Sequence, residues 1–149
     1  MRDSFYWLEC SKNDSIYSAA MHYDDFKKFD TSGTQNIKKI VGDGEHYVWL
    51  RAEFTVPSYL RFRSLAMVIS SLTFADKLWL NKTFIDSYGE FPPNGRSALF
   101  ESHYYSFPEN ALNSSGKNVI YIKVCTLGKS SISDLIYIGE PKKNQADFL

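Results

Sequence analysis

The chain has 149 residues, of which 44% are hydrophobic and 23% are charged, an ordinary composition for one soluble globular domain with a sizeable core. Lys plus Arg and Asp plus Glu both number 17, so the formal net charge is zero. This balance argues against a nucleic-acid partner, which would favour an excess of basic residues.

The N-terminal part of the chain predicts short elements separated by turns. Phe5 to Glu9 is typical of a short strand, and Asn13 to Ala20 is typical of a turn or a short helix. Asp24 to Phe29 is either one helical turn or an extended segment, and Thr31 to Asn36 is loop-like. Gly42-Asp43-Gly44 is a strong turn signal.

The sharpest pattern runs from Val48 to Val56. Its even positions are all apolar, whereas its odd positions include Arg51, Glu53 and Thr55. A period of two predicts a half-buried strand, which Pro57 ends.

Further strands follow, with turn residues between them. Leu65 to Ser70 is a continuous apolar run, which favours a strand buried on both faces. The other predicted strands are Ala75 to Asn81, Leu99 to Phe107, Val119 to Thr126 and Leu135 to Ile138, with a turn at Gly116-Lys117-Asn118. About seven short strands without a long helical period predict an all-β sandwich or barrel. We expect one domain over residues 1–141 and a polar tail or linker over 142–149.

A tight hairpin is predicted where Asn81-Lys82 separates two short apolar runs. Asn tolerates a positive φ, whereas Lys82 is less favourable there than Gly by roughly 1 kcal/mol. Trp79 and Phe84 are interpreted as packing residues of this hairpin, with direct ligand contact as the alternative.

Motifs of common enzymes are absent from the sequence. It has no G-x-S-x-G elbow, no H-E-x-x-H, no P-loop and no dinucleotide loop. The three histidines are scattered, and no two have a metal-like spacing. Asp24, Asp25 and Asp30 are a weak indication of calcium. We therefore expect a non-catalytic domain without a cofactor or a bound metal.

Cys10 and Cys125 do not form a zinc pattern, which needs four ligands. They are either two semi-buried thiols or a disulfide, if the first and the late strands are neighbours.

The sequence contains no targeting segment. Polar residues resume by Glu9, so the N-terminal residues do not form the apolar core of a signal peptide. The longest apolar run, Leu65 to Ile69, is too short to span a bilayer. Taken as complete, the protein would be cytoplasmic. As a piece of a longer secreted or membrane-bound chain it would be extracellular or periplasmic.

Three segments, in the right order, resemble galactose-binding-domain-like jelly rolls. Tyr47 to Pro57 is similar to the family's W-Y-R-x-x-F-x-V-P strand, and Ala75 to Gly89 is similar to A-D-x-V-Y-L-N-G-x-x-I-G-x-x-G. Phe107 to Val124 resembles I-P-x-x-x-L-x-x-G-x-N-V-I-A-I-R-V. Such jelly rolls occur as the sugar-binding domain of family 2 glycoside hydrolases and as extracellular sensor domains of bacterial membrane receptors. The resemblance implies a jelly-roll β-sandwich of two antiparallel sheets.

The loop Gly89-Glu90-Phe91-Pro92-Pro93 resembles the G-x-F-P-P loop of the sensor type. This implies a ligand-sensing module outside the cytoplasm. The chain departs from the family at Lys82 and Asp86, where Gly is usual or frequent, and over the serine-rich segment Leu127 to Asp134.

Aromatic residues make up 16% of the chain, which suits both strands and sugar-stacking surfaces. Tyr88 and Phe91 are expected in a stiff loop, where they could stack on a ligand, or Phe91 could plug the end of the core. Arg51 either pairs across strands or forms a polar floor for a ligand. The candidate ligand-binding residues are Arg51, Asn81, Tyr88, Phe91, Arg96, His103 and Tyr105.

The leading hypothesis is a non-catalytic sensor domain of a bacterial signalling receptor that binds a carbohydrate or another small polar molecule. One alternative is a sugar-binding accessory domain of a glycoside hydrolase. Another is a structural or protein-interaction domain without a small ligand. A membrane would be involved only through other parts of the parent chain, and a homodimer is one further possibility.

Overall fold

The computed structural model describes residues 5–29, 34–98, 103–127 and 130–140, with the backbone alone at 34, 69–72 and 132–138. Within these residues the strands are β1 (Tyr6–Cys10), β2 (Lys27–Lys28), β3 (Thr34–Asn36), β4 (Tyr47–Thr55), β5 (Leu65–Leu72), β6 (Ala75–Leu80), β7 (Thr83–Tyr88), β8 (His103–Phe107), β9 (Lys117–Cys125) and β10 (Ser131–Gly139). The helices are α1 (Ile16–Met21) and α2 (Lys38–Val41), with 3-10 turns at Tyr23–Asp25, Ser58–Leu60 and Glu109–Ala111.

The strands form two antiparallel sheets. One has the order β2-β1-β4-β9-β6-β7 and the other has the order β3-β10-β5-β8. This arrangement confirms the predicted all-β jelly-roll sandwich. No helix in the described part of the chain has the length and apolar character that crossing a bilayer requires.

The two sheets enclose a common core. Val48, Leu50 and Phe54 of β4 point into it from the first sheet, and Met67 and Tyr105 point into it from the second. Alternating apolar residues produce this arrangement, since successive side chains of a strand point to opposite faces of the sheet. The predicted tail, 142–149, and the predicted boundary at residue 141 lie outside the described residues.

The outer face of β4 is covered, so the prediction of a half-buried strand is wrong. Trp49 is 1% exposed and Arg51 is 6% exposed. Ile16 and Ala19 of α1, with Phe26 after the following 3-10 turn, form a second apolar cluster over this face. A period of two shows which side chains share a face, but it does not show that a third layer covers one of the faces.

In the N-terminal part of the chain, the observed elements differ in detail from the predicted ones. Helix α1 lies where a turn or a short helix was predicted, and the Oγ of its N-cap Ser15 accepts a hydrogen bond from the Ser18 N–H at 3.2 Å. The segment predicted as helical or extended contains both forms, a 3-10 turn and then β2. The loop prediction was wrong for Thr34–Asn36, which is β3 and pairs with β10. Residues 30–33 lie outside the described part.

Two later boundaries also differ from prediction. β9 begins at Lys117, inside the predicted turn, and β10 spans Ser131–Gly139 rather than only residues 135–138. Residues 99–102, the predicted start of the β8 strand, and residues 128–129 of the serine-rich segment are outside the described residues.

The hairpin between β6 and β7 is confirmed. Asn81 and Lys82 both have a positive φ, 50° and 72°, and the flanking strands pair directly, with Leu80 opposite Thr83. A two-residue turn with positive φ at both positions matches the right-handed twist of the strands it joins.

Replacing Lys82 with glycine is expected to raise the free energy of unfolding by about 0.5–1 kcal/mol, because glycine adopts this conformation without the Cβ penalty. Chemical unfolding monitored by fluorescence measures the change. Lys39→Gly, at an exposed helical position with ordinary φ, is the matched control and should lower stability by about 1 kcal/mol. A loss of stability in both variants would contradict the assignment of strain to Lys82.

The two cysteines are free thiols, and the structure excludes the disulfide alternative. Tyr47 of β4 lies opposite Cys10 on one side and opposite Cys125 on the other. Because neighbouring strands are about 4.8 Å apart, two strand spacings place the cysteines roughly 9–10 Å from each other. A disulfide requires a much shorter separation between the Cα atoms.

Candidate functional site

A buried polar cluster joins the two sheets at Asp76. Its carboxylate accepts hydrogen bonds from the Thr73 hydroxyl at 2.7 Å and the Tyr105 hydroxyl at 2.5 Å. The Nδ1 of His103 lies 2.8 Å from Asp76 Oδ2, the oxygen that also accepts from Thr73. Burial, together with the neighbouring Asp76, raises the pKa of Tyr105 well above its usual value, so this phenol remains a hydrogen-bond donor.

Tyr88 closes this cluster from the edge of the first sheet. Its ring stacks on His103 with centroids 4.4 Å apart, and its hydroxyl bonds to both the N–H and the C=O of Tyr104. Tyr88, the last residue of β7, thus links that strand to β8. This corrects the prediction that Tyr88 lies in a loop without a strand to pack against.

Three predicted ligand-binding residues, Tyr88, His103 and Tyr105, therefore come together. They do so between the sheets, with His103 2% and Tyr105 1% exposed. His103 and Tyr105, two of the residues predicted to bind a ligand, are thus enclosed by the fold.

Arg51 is enclosed by aromatic rings beneath the N-terminal segment. Its guanidinium carbon lies 3.8 Å from the ring centroid of Tyr23, 4.7 Å from that of Tyr6 and 5.0 Å from that of Phe26. It also donates a hydrogen bond to the Tyr23 carbonyl. These contacts fasten the 3-10 turn to the sheet. Arg51 was predicted either to pair across strands or to form a polar floor for a ligand, and its burial at 6% exposure does not fit the second alternative.

Asn81 uses its side-chain amide within the fold. Its Nδ2 donates to the Ala111 carbonyl at 3.0 Å and to Asn118 Oδ1 at 2.8 Å, while its Oδ1 accepts from the Val119 N–H at 2.8 Å. The side chain thus ties the hairpin turn to the start of β9. These bonds indicate a structural role at a position predicted to contact a ligand.

Phe91 packs on the outer face of the six-stranded sheet and does not plug the end of the core. Its ring meets Tyr47 edge-on at 5.2 Å, and the Lys77 ammonium lies 4.8 Å from its centroid. Arg96 closes the same loop through backbone bonds to Glu90, and its Nε lies 3.7 Å from the Glu90 carboxylate. Of the seven predicted residues, Arg96 alone has an exposed side chain.

The seven residues therefore do not assemble into one site. A cleft of about 180 Å³ lies elsewhere, between α1 and β1. Its lining residues, which include none of the seven, are Leu8, Glu9, Cys10, Asp14, Ser18, Ala19, His22 and Trp49.

The cleft has an apolar base and a polar rim. Trp49 and Ala19 are buried at its base, whereas His22 is exposed at its opening. This combination suits a small molecule with one apolar face and several polar groups.

The rim is held in place by local bonds. Asp14 accepts the Ser11 N–H at 2.9 Å through Oδ2. Glu9 lies opposite Val48 in the β1–β4 pair, so its side chain is on the other face of the sheet, where its Oε2 is 3.2 Å from His46 Nδ1. His22 Nδ1 donates to the Ser18 carbonyl at 2.8 Å. The Asp14 carboxylate thus uses one oxygen in this contact.

Lys123 supports the rim from below. Its ammonium donates to the Lys12 carbonyl at 2.5 Å and to the Asp14 carbonyl at 2.7 Å. Burial lowers its pKa, and burial raises the pKa of the neighbouring Cys10 to about 12, so this thiol is neutral near neutral pH.

The cleft was not predicted from the sequence, because it exists only where the N-terminal segment covers β4. One signal was available. Trp49 occupies an odd, outward-facing position of the predicted strand, and a large apolar side chain there calls for a covering element.

Comparisons with known proteins identify the fold. No family model and no curated protein matches the sequence. Among solved structures, a β-glucuronidase of Bacteroides uniformis has a TM-score of 0.65 and 11% identity, over 93% of this chain and 17% of that chain. The β-glucuronidase of Faecalibacterium prausnitzii has a TM-score of 0.62 and 15% identity, over 85% of this chain and 20% of its own.

A third neighbour is the β-glucuronidase of Ruminococcus gnavus in complex with D-glucuronic acid, with a TM-score of 0.61 and 11% identity. The match covers 94% of this chain and 29% of that enzyme. The chain therefore spans less than a third of the length of these neighbours. The similarity confirms the galactose-binding-domain-like jelly-roll fold that the sequence resemblance implied.

Proposed function

We propose that this chain is a non-catalytic, carbohydrate-binding domain that serves as an accessory module of a larger carbohydrate-active protein. The observation that carries the proposal is the proportion of the structural match. The shared fold accounts for nearly all of this chain but for only 17–29% of the β-glucuronidases described above. A fold of this kind is therefore a module within those larger enzymes.

The interior of the domain supports a non-catalytic role. The side chains best suited to acid–base chemistry in the predicted set, His103 and Tyr105, are buried and bonded to Asp76. A general acid or base must come within hydrogen-bond reach of its substrate. In this arrangement the cluster stabilises the contact between the sheets.

We place the sugar in the cleft between α1 and β1. A sugar ring has an apolar face of C–H groups and an edge of hydroxyl groups. The buried base formed by Trp49 and Ala19 suits the apolar face, and Ser18, Asp14 and His22 on the rim suit the hydroxyls. At about 180 Å³ the cleft is smaller than the pockets that hold drug-sized molecules, which suits a ligand no larger than one sugar ring.

The sensor-domain hypothesis remains a second proposal, because Gly89–Pro93 matches the G-x-F-P-P loop of receptor ectodomains. Under this second proposal, the domain is located outside the cytoplasm, in the extracellular space or the periplasm. Both proposals involve a small polar ligand, but they differ in the rest of the parent chain. A membrane-spanning helix encoded after this segment would favour the sensor, and a catalytic barrel would favour the hydrolase accessory domain. The homodimer and attachment to a membrane through the parent chain stay predictions from the sequence.

Isothermal titration against a panel of mono- and oligosaccharides tests the binding function. We expect one-site binding with a Kd of about 1 mM or below for at least one sugar. His22→Ala, which removes a rim donor or acceptor, should weaken that binding by about tenfold.

Met21→Ala is the matched control, because Met21 is the neighbouring residue of α1, is 81% exposed and does not line the cleft. It should leave the affinity unchanged. The absence of binding across the panel would refute the carbohydrate function. Equal affinities for the His22→Ala variant and the unmodified protein would place the sugar away from the cleft rim.

A further inference from the structure

We propose that a second carbohydrate site lies on the outer face of strands β6 and β7 and takes sugars with an anionic substituent, a carboxylate or a sulfate. This inference rests on the proposed carbohydrate-binding function for its class of ligand. The site is separate from the cleft between α1 and β1, and different residues form it.

The pairing of β6 with β7 places four side chains on this surface. Lys77 lies opposite Ser87. Trp79 lies opposite Phe84, and a β-bulge between the two pairs gives β7 one extra residue, so both pairs are on the same side of the sheet. Leu78, between Lys77 and Trp79, points into the core and is fully buried, so the four side chains point outward. We call these four residues the β6–β7 face.

Two aromatic rings of the β6–β7 face are open to solvent. Phe84 is 51% exposed and Trp79 is partly exposed, and their rings meet edge-on with centroids 5.4 Å apart. The buried ring of Trp49 supports Trp79 from the side of the core helix, at 5.3 Å between centroids. Rings held in this way offer a fixed apolar surface to the C–H groups of a sugar.

Lys77 adds a cation to this surface. Its ammonium lies 4.8 Å from the ring centroid of Phe91, and within the ranges that the structure describes it forms no ion pair or hydrogen bond. Lys123 of β9 lies opposite Lys77 on the same face. Burial lowers the pKa of Lys123, and the charge of Lys77 acts in the same direction, so the two ammonium groups influence each other. Asp14 offsets part of the charge of Lys123, which leaves Lys77 as the cation available to a ligand.

The spacing of these groups suits one sugar ring. Lys77 and Trp79 are two residues apart on β6, which separates their Cα atoms by about 7 Å. A ring stacked on Trp79 would therefore have its substituents near the Lys77 ammonium and the exposed Ser87 hydroxyl. An ammonium group has three donors and no acceptor, which matches the oxygens of a carboxylate or a sulfate.

The size of the β6–β7 face favours a small ligand over a protein partner. Four side chains form it, whereas a stable protein interface uses about 20–30 residues on each side. The unpaired cation beside the rings selects for negative charge on that ligand.

NMR titration of the isotope-labelled chain with two matched pairs of sugars tests the inference. The pairs are glucuronate with glucose, and glucosamine N-sulfate with N-acetylglucosamine. We expect each anionic sugar to shift the Trp79 indole and the amides of Lys77 and Phe84, and to bind there about fivefold more tightly than its neutral partner. Because the face is open, its Kd should lie in the millimolar range, above that of the best ligand of the cleft. Added salt should reduce the preference for the anionic sugars.

Variants of Lys77 show whether its charge selects the ligand. Lys77→Gln should remove the fivefold preference, and Lys77→Arg, which retains a cation, should keep it. Lys39→Gln is the matched control, because Lys39 is an exposed lysine of α2 outside the β6–β7 face. It should keep the full preference.

A variant of Phe84 shows whether the sugar stacks on this face. Phe84→Ala should weaken the binding of each anionic sugar at this site by at least threefold. Tyr59→Ala is the matched control, because Tyr59 is a 74% exposed aromatic residue outside the β6–β7 face. It should leave the affinity unchanged. The unfolding midpoint of every variant shows whether it is folded.

The outcomes separate this inference from the proposed function. Shifts at Ser18 and His22 of the cleft without shifts on the β6–β7 face would overturn the inference and leave the carbohydrate function in place. Equal binding of anionic and neutral sugars on the face, or a preference that persists in Lys77→Gln, would also overturn it. The same holds if inorganic sulfate alone binds as tightly as the anionic sugars, since the site would then recognise an anion and not a sugar. If no sugar binds at either place, both proposals fall.

Discussion

Substitution of Asp76 by alanine is expected to lower the free energy of unfolding by about 4 kcal/mol. The carboxylate is 2% exposed and is contacted by Thr73, His103 and Tyr105 within 2.8 Å. Its removal leaves the buried hydroxyls of Thr73 and Tyr105 and the imidazole of His103 without their common partner. A loss of this size is a large part of the total stability of a domain. Equilibrium unfolding in urea provides the measurement.

Asp86→Ala is the matched control for this prediction. Asp86 lies on the neighbouring strand of the same hairpin, is exposed, and accepts a hydrogen bond from the adjacent Ser87 N–H. Its loss should change stability by less than about 0.5 kcal/mol. Asp76→Asn retains the shape of the side chain and should cost less than the alanine variant. Similar effects of the two alanine substitutions would contradict the role assigned to the buried cluster.

Replacing Gly89 with alanine is expected to cost about 3 kcal/mol. Gly89 has a φ of 72°, and a Cβ there would lie 2.5 Å from the Arg96 carbonyl oxygen and 2.8 Å from that of Phe74. Both obstacles are backbone atoms of the segments that close the loop after β7. Relief of the clash would require this loop to open, and thermal unfolding reports the resulting loss.

Gly44→Ala separates the steric clash from the backbone strain. Gly44 also has a positive φ, 93°, but a Cβ would meet no atom within 4 Å. This variant should lose only about 1–2 kcal/mol, the cost of a positive φ for a residue with a side chain. Equal losses in the two variants would show that the close approach at Gly89 is unimportant.

The sandwich itself was predictable from the sequence. The alternation at Val48, Leu50 and Phe54 identifies the core face of β4, and the Asn81-Lys82 turn identifies the β6–β7 hairpin. Both signals are local, since a strand period and a two-residue turn depend on neighbouring residues. The resemblance to galactose-binding-like jelly rolls added the order of the elements, and the structural match confirmed the fold.

The positions of the functional candidates could not be predicted in the same way. Arg51 reads as a solvent-facing charge, yet the N-terminal segment folds over it and surrounds it with Tyr6, Tyr23 and Phe26. The sequence does not show whether His103 lies at the surface or packs inside, and the structure places it between the sheets beside Asp76. These environments depend on contacts between residues far apart in the chain, which periodicity does not encode.

The location of the sugar is the central claim, and NMR chemical-shift mapping tests it most directly. The isotope-labelled chain is titrated with the sugar that binds best, and the backbone amides and the Trp49 indole are followed. We predict that the largest shifts are at Trp49, Ser18 and His22, which line the cleft. Largest shifts at Phe91 and Arg96, with the cleft residues unchanged, would contradict the account.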